Sequence, residues 1–284
     1  MRRNGILRIA LTLMFCAVTG AEVAGQRVMA VADASGRAIE AKAFRTVKSF
    51  YCPEASQGVA VDADYFYGIG NQVIVKCEKA SGREVARWEE DNPELIRHFD
   101  GGTVVDGLLY CSHSNFPEVP MASSIEVFDT ATLEHVGTIS LGIESGSCTW
   151  IVPGENCWYL GFAHYGNGSN GAEPLKDNSW TQFVQYDRDW HRVQGWILPK
   201  ALLEKLSPNS VSGCLFHDGR FYCTGHDAMT LFVLDFPPYG MRLVHSGSID
   251  IPFHGQGIAL DADGNLWGID RKTRSVIKAA PVAE

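Results

Sequence analysis

One short phrase recurs five times along the chain, and it constrains the fold more than any other feature. It reads Phe66-Tyr67-Gly68-Ile69-Gly70-Asn71, Leu109-Tyr110-Cys111-Ser112-His113 and Tyr159-Leu160-Gly161-Phe162-Ala163-His164. It returns as Phe221-Tyr222-Cys223-Thr224-Gly225-His226 and Leu266-Trp267-Gly268-Ile269-Asp270-Arg271. Each copy is an apolar or aromatic pair, a small residue, and a polar residue that closes the phrase. Aromatic and apolar runs of this length, bounded by glycine and polar turns, read as strands. If the copies are equivalent, Asn71, His113, His164, His226 and Arg271 form one ring.

Around the first phrase the chain supplies three more short strands. Gln57 to Asp62 opens the first copy, with Gln72 to Cys77 and Glu84 to Trp88 after the phrase. The openings fall at 57, 100, 146, 212 and 256, which are 43, 46, 66 and 44 residues apart. A period in the forties with four strands per copy predicts a β-propeller. The count predicts five blades; six is the rival count, with a hairpin concealed after His164. The long interval holds two insertions: a polar loop from Gly166 to Ser179, and Pro199 to Pro208, where Ala201 to Leu206 reads as helix. The fifth copy stops after Val276-Ile277-Lys278, its third strand. The orphan run Val47 to Tyr51, ahead of the first copy, is expected to pair with the last blade, close the ring and cover an exposed edge.

The N-terminus lies outside this pattern. Arg2, Arg3 and Arg8 surround an apolar stretch from Ile9 to Val18, followed by small residues. That order predicts a signal peptide over 1–25, a polar linker over 26–42, a propeller domain over 43–284, and a secreted or periplasmic location. Removing residues 1–25 takes away three basic residues and one acidic one, moving the net charge from −9 to −11. An acidic surface argues against nucleic acid as a partner. The expected form is a monomer with no integral membrane segment after cleavage. Seven cysteines remain past Cys16, an odd number. In the hairpin from Cys214 to Cys223, an Asp218-Gly219 turn places the two cysteines opposite one another. The bridge is one reading; small buried apolar residues is the other.

In a propeller the first strands line the central channel. Their openings share a face with the loops that follow the second strands. Two sets of residues are therefore expected at one mouth: Gln57, Asp100, Ser147, Ser212 and Gln256, and the closing ring. Asn115 and Asp227 follow His113 and His226, and His98 and His254 precede two of the openings. Trp150 and Trp180 are expected to offer flat surfaces to a ligand. In one reading His164 or His226 is a general acid or base, with Asp227 orienting His226 and Arg271 holding an anionic group. In a second reading His113, His164 and His226 bind a divalent transition metal such as zinc. In a third they only tie blades together. No glutamate follows Asp261-Ala262-Asp263-Gly264-Asn265 at the offset a calcium loop needs, so that stretch reads as a hairpin turn.

The openings Ser56-Gln57-Gly58-Val59, Gly101-Gly102-Thr103-Val104 and Gly255-Gln256-Gly257-Ile258 resemble those of five-bladed propellers of the plant-type glutaminyl cyclotransferase kind. Gln57 to Asp62, Cys111 to Asn115, Phe162 to Tyr165, and Cys223 to Asp227 resemble an exported bacterial propeller family loosely labelled cycloisomerase-like. The resemblance covers about residues 45 to 280 and implies the fold; it implies no catalytic residue. The acidic residue that the cyclotransferases place at a blade opening is glycine or serine here. The leading expectation is an enzyme of cyclase, lyase or hydrolase type acting on a small polar substrate, sugar-derived, lactone-like or anionic. The alternatives are a carbohydrate- or peptide-binding protein and a structural interaction module.

Overall fold

The computed structural model describes residues 39, 41–144, 146–165 and 176–282. The expected signal peptide, nearly all of the linker and the glycine-rich stretch from Gly166 to Gly171 lie outside the described residues.

The described chain is almost wholly strand. Three antiparallel meanders of four strands come first. They are β2 (Gly58–Val61), β3 (Tyr65–Ile69), β4 (Val73–Glu78) and β5 (Glu84–Glu89); β6 (His98–Val105), β7 (Leu108–Ser114), β8 (Ala122–Asp129) and β9 (His135–Ile143); and β10 (Ser147–Pro153), β11 (Cys157–Ala163), β12 (Gln182–Asp187) and β13 (Arg192–Ile197). The rest form an eight-stranded sheet. It contains β14 (Gly213–His217), β15 (Arg220–Thr224), β16 (Thr230–Asp235) and β17 (Val244–Asp250), then β1 (Ala43–Tyr51), β20 (Ser275–Val282), β19 (Leu266–Asp270) and β18 (Ala259–Leu260), in that order. β1 touches β17 at the single parallel pair Ala43↔Asp250, but it runs antiparallel to β20 from Ala43↔Val282 to Tyr51↔Ser275. The eight strands are therefore two four-stranded units that abut. The expected orphan strand Val47 to Tyr51 lies inside β1 and does close the last unit. One helix, α1 (Lys200–Leu206), stands in the long third interval and buries Leu202, Leu203 and Leu206.

The repeated phrases are the second strands. β11 is buried at all seven positions because a neighbouring sheet covers each of its faces. Outer strands alternate instead: β5 exposes Glu84, Val85, Arg87 and Glu89, and its charges blunt the edge. Asp106-Gly107 and Asp218-Gly219 turn their hairpins with φ of 50° and 79°, and 49° and 73°, the positive values such two-residue turns demand.

Packing runs from sheet to sheet. Among the described residues, five apolar clusters fill the gaps between successive units. One joins Phe50, Phe66 and Trp267, and so returns the last unit to the first. The first strands touch in the order β2, β6, β10, β14, β18 and back to β2. This closed succession of four-stranded sheets is of β-propeller type.

The axis is filled by backbone. A Cβ placed on Gly257 would lie 2.9 Å from the Cα of Gly101 and 3.0 Å from the Cα of Gly58. Gly257 N–H donates to the Gln57 carbonyl at 3.0 Å, and Val59 N–H donates to the Gly257 carbonyl at 3.3 Å. Glycine is required here for close approach. On one side of this plug Gln57, Asp100 and Gln256 line a cavity, and on the other Val61, Gly102 and Ile258 line another. Among the described residues no helix is long and apolar enough to cross a membrane.

Candidate functional site

The cavity at the openings has a volume of about 270 Å³. Gln57, Asp100, Ser212 and Gln256 reach it from the openings, and His226 and Arg271 from the closing ring. His98, Phe116, Tyr165 and Asn209 complete it.

One half is a hydrogen-bonded chain. Arg271 Nη2 lies 3.3 Å from His226 Nε2. A guanidinium only donates, so Nε2 accepts and the imidazole proton sits on Nδ1. That Nδ1–H donates to Asp227 Oδ1 at 2.7 Å. Asn209 Nδ2 donates to Asp227 Oδ2 at 2.8 Å, and His254 Nδ1 donates to the Asp227 carbonyl at 2.7 Å. Partial burial alone would raise the Asp227 carboxyl, but the hydrogen bonds from His226 and Asn209 and the Arg271 charge outweigh it and hold the group below its ordinary value. Asp227 is thus a carboxylate that fixes the ring and tautomer of His226, whose basic nitrogen faces the cavity beside a cation.

The other half centres on Asp100. Asp100 and Gly101 together face Ser112 in a bulge of β6, where the register jumps between Phe99 and Gly102. Ser112 Oγ accepts from Gly101 N–H and donates to the Gly101 carbonyl, both at 3.0 Å, which locks the bulge. Bulges re-aim side chains. Here Asp100 turns inward and is 3% exposed. His98 Nε2 stands 3.5 Å from its Oδ1. Burial works against charge on His98, yet the Asp100 carboxylate more than offsets it, and the imidazole is raised above 6.5. Asp100 Oδ2 is enclosed and has no hydrogen-bond partner among the described residues. The ring of Phe116 lies 5.1 Å from His98 and 5.4 Å from Tyr165. Burial, and then the Asp100 charge, push the Tyr165 hydroxyl far up, so it stays protonated.

Two amides complete the mouth. Gln57 Nε2 donates to Asn71 Oδ1 at 2.7 Å, so Asn71 steadies Gln57 from behind. Gln256 is 3% exposed at φ 150°, in a region that glycine favours. Strain of this kind persists where surrounding structure enforces it and gathers at functional sites. Thr224 Oγ1 donates to the Gln256 carbonyl at 2.7 Å and Gly257 N–H to the Gln57 carbonyl, which hold the residue in place.

Other sequence-selected residues are placed elsewhere. His113 and Asn115 line a separate cavity of about 560 Å³ beside Trp88 and Glu126. Arg97 N–H donates to His113 Nε2 at 3.0 Å, so its Nδ1–H donates to Ser124 Oγ at 2.9 Å. The phrase ending in His113 is one residue shorter than the other four. One residue flips a strand side chain to the opposite face. His164 is fully buried, and its backbone N–H donates to Thr181 Oγ1 at 3.3 Å. Trp150 is core: its ring meets Phe183 edge-on at 4.5 Å. Trp180 is exposed on a 3-10 turn, Asn178–Trp180, with Lys176 Nζ 5.5 Å from its ring centre. His113, His164 and His226 are in three different settings: His113 lines the separate cavity, His164 is fully buried, and His226 lies at the mouth. Among the described residues, the one group of three that brings metal-binding atoms within 4.8 Å of one another is Asp187, Asp189 and His191, on an exposed turn. Asp261 Oδ1 accepts from the N–H groups of Asp263 and Asn265, as a hairpin turn requires. Cys214 and Cys223 are register partners with sulfurs 3.2 Å apart, and both are free thiols.

The sequence reading missed Phe116, Tyr165 and Asn209 as wall residues. Asn209 had a signal: it follows the inserted helix and leads into an opening.

No protein-family model matches the chain, and no curated protein matches it. Among solved structures it is similar to a chain of "Crystal Structure of Mitotic Checkpoint Complex", at 12% identity and TM-score 0.41, covering 78% of this chain and 72% of that one. It is also similar to "Structure of U3-55K", at 12% identity and TM-score 0.45, covering 79% and 80%. Likeness this distant carries no argument about the site. From its own sheets, the chain is an all-β protein of propeller type.

Proposed function

We propose that this is an exported five-bladed propeller enzyme that binds a small polar, anionic molecule at the mouth, with His226 as general base. The closed order of five first strands supports the blade count. The charged, apolar and small-residue order of 1–25 supports export. The resemblance to exported cycloisomerase-like propellers agrees with both.

One observation carries the chemistry. His226 is bracketed, with Nδ1–H on Asp227 and Nε2 toward Arg271, inside a cavity that buried polar residues line. A ligand anion draws the Arg271 guanidinium to itself and frees the Nε2 lone pair. Nε2 then takes a proton from the ligand, Asp227 stabilises the imidazolium, and Arg271 stabilises negative charge on the product side.

The test is a panel of small carboxylates and lactones followed by proton NMR in deuterated solvent. Wild type exchanges or converts a member of the panel, and His226→Gln slows it by about 10²–10⁴-fold, the usual contribution of general acid–base catalysis. Binding by wild type without turnover or exchange of any member makes the protein a binder of the same ligands and removes the enzyme reading.

A further inference from the structure

We propose that the molecule held at the mouth is a small hydroxy acid, its carboxylate against Arg271 and one hydroxyl donating to Asp100 Oδ2. The inference rests on the mouth being a ligand site, as proposed above, but it does not require turnover.

Asp100 supplies the first reason. Its Oδ2 is a buried carboxylate oxygen with no donor among the described residues, in the wall of the cavity. The bulge clamped by Ser112 prevents the residue from turning away to water. Buried acceptors are almost always satisfied, so the missing donor belongs to what fills the cavity.

The donor is better a hydroxyl than an ammonium. His98 already stands 3.5 Å from Oδ1. It holds its proton more tightly than an ordinary histidine does. A ligand ammonium at Oδ2 would bring a second cation beside it. A hydroxyl satisfies Oδ2 without added charge, and it can also accept from an amide. Gln256 and Gln57 line the same cavity.

Arg271 supplies the other end. Among the described residues its only hydrogen bond is the one to His226 Nε2. A guanidinium has five N–H donors in a fork that fits a carboxylate. The cavity, at about 270 Å³, is smaller than the usual drug-sized pocket, which limits the ligand to a small acid. Phe116 and Tyr165 give its carbon chain an apolar wall.

Four probes separate the groups: D-gluconate, hexanoate, sorbitol and 6-aminohexanoate, each titrated calorimetrically into the full chain. Gluconate is expected to bind at least about tenfold more tightly than hexanoate, sorbitol or 6-aminohexanoate, a tenfold step being about 1.4 kcal/mol. Asp100→Asn is expected to weaken gluconate by a similar factor and leave hexanoate unchanged. Arg271→Gln is expected to weaken both acids. If Asp100→Asn does not fold, the four probes on the unaltered protein decide alone. Equal affinity for gluconate and hexanoate overturns the role of Asp100. Tightest binding by 6-aminohexanoate assigns an ammonium and overturns the hydroxyl. Binding of none of the four overturns the ligand class. If gluconate binds as stated but no acid is turned over, the general-base reading falls and this inference stands. If another acid is turned over through His226 while gluconate does not bind, the reverse holds.

Discussion

Replacing Gly257 with alanine tests whether the axis is a backbone plug. The new Cβ would meet the Cα of Gly101 at 2.9 Å, the Cα of Gly58 at 3.0 Å and the Gln57 carbonyl oxygen at 3.3 Å. All three are main-chain atoms of other first strands, so no rotamer change relieves the contact. Relief requires the strands to part, which stretches the Gly257–Gln57 and Val59–Gly257 hydrogen bonds. Overpacking of a core commonly costs 1–3 kcal/mol, and this site, with no side chain able to yield, belongs at the upper end, about 3 kcal/mol. For a domain of roughly this size each kcal/mol moves the melting temperature by about 2–4 °C, so a fall of about 6–12 °C is expected. Gly137→Ala is the control, because a Cβ there meets nothing within 4 Å. The assay is thermal unfolding by circular dichroism, with urea unfolding of both variants. A Gly257→Ala protein that melts within about 1 °C of wild type, less than 0.5 kcal/mol by the same scale, refutes the plug.

Four further outcomes follow from the packing and charges. Trp267 Nε1 donates to buried Asp261 Oδ2 at 2.9 Å, beside Asn265 Nδ2 and Lys278 Nζ, so Trp267→Phe removes one of three partners and should cost about 0.5–1.5 kcal/mol in urea unfolding; a change near zero counts against that bond. His98 is raised in the folded protein, so its contribution is full below the unfolded value near 6.5 and is lost as pH rises through the raised one. The melting difference between wild type and His98→Gln should therefore shrink from about pH 6 to pH 9, and a constant difference contradicts the pair. His113 behaves oppositely: burial first, then the charge of His98, lower it against the pull of Glu126 and Asp100, so its neutral form is favoured and stability is lost as pH falls. His113→Gln should flatten the acid side of the melting profile. The seven cysteines from Cys52 to Cys223 are buried, and burial pushes the Cys111 and Cys148 thiols up. Maleimide should label none of the seven in the native protein and all of them in guanidine, read by intact mass; rapid native labelling of Cys148 contradicts its burial.

The fold was legible because its signals are local. Each phrase carries its own strand, each Asp-Gly its own turn, and the missing fourth strand of the last copy points to the surplus strand at the front. Part of the mouth was legible for the same reason. Gln57, Asp100 and Gln256 occupy matching openings, and His226 and Arg271 close phrases of equal length. The remainder depends on strand phase, which a repeat alignment hides. His113 sits one residue short of the others and faces Ser124. His164 has the right spacing, but Gly146 and Thr181 enclose it. Trp150 looked like a platform because it stands at an opening, yet Gly161 beneath it leaves room for the indole to lie flat in the core. The inward turn of Asp100 arises from a bulge, and nothing in the residue types around it announces one.

The pairing of β1 with β20 has a consequence in time. Tyr51 and Ser275 are register partners 224 residues apart. Bringing such distant segments together costs about 5 kcal/mol of chain entropy by the logarithmic loop-closure law, before any contact between them returns it. The first strand to be made thus finds its partner last, and until then one strand's worth of peptide groups on each of the two strands is without its mate. A chain cut short before Ser275 should be an open horseshoe with a sticky strand at its front, ready to pair with another copy.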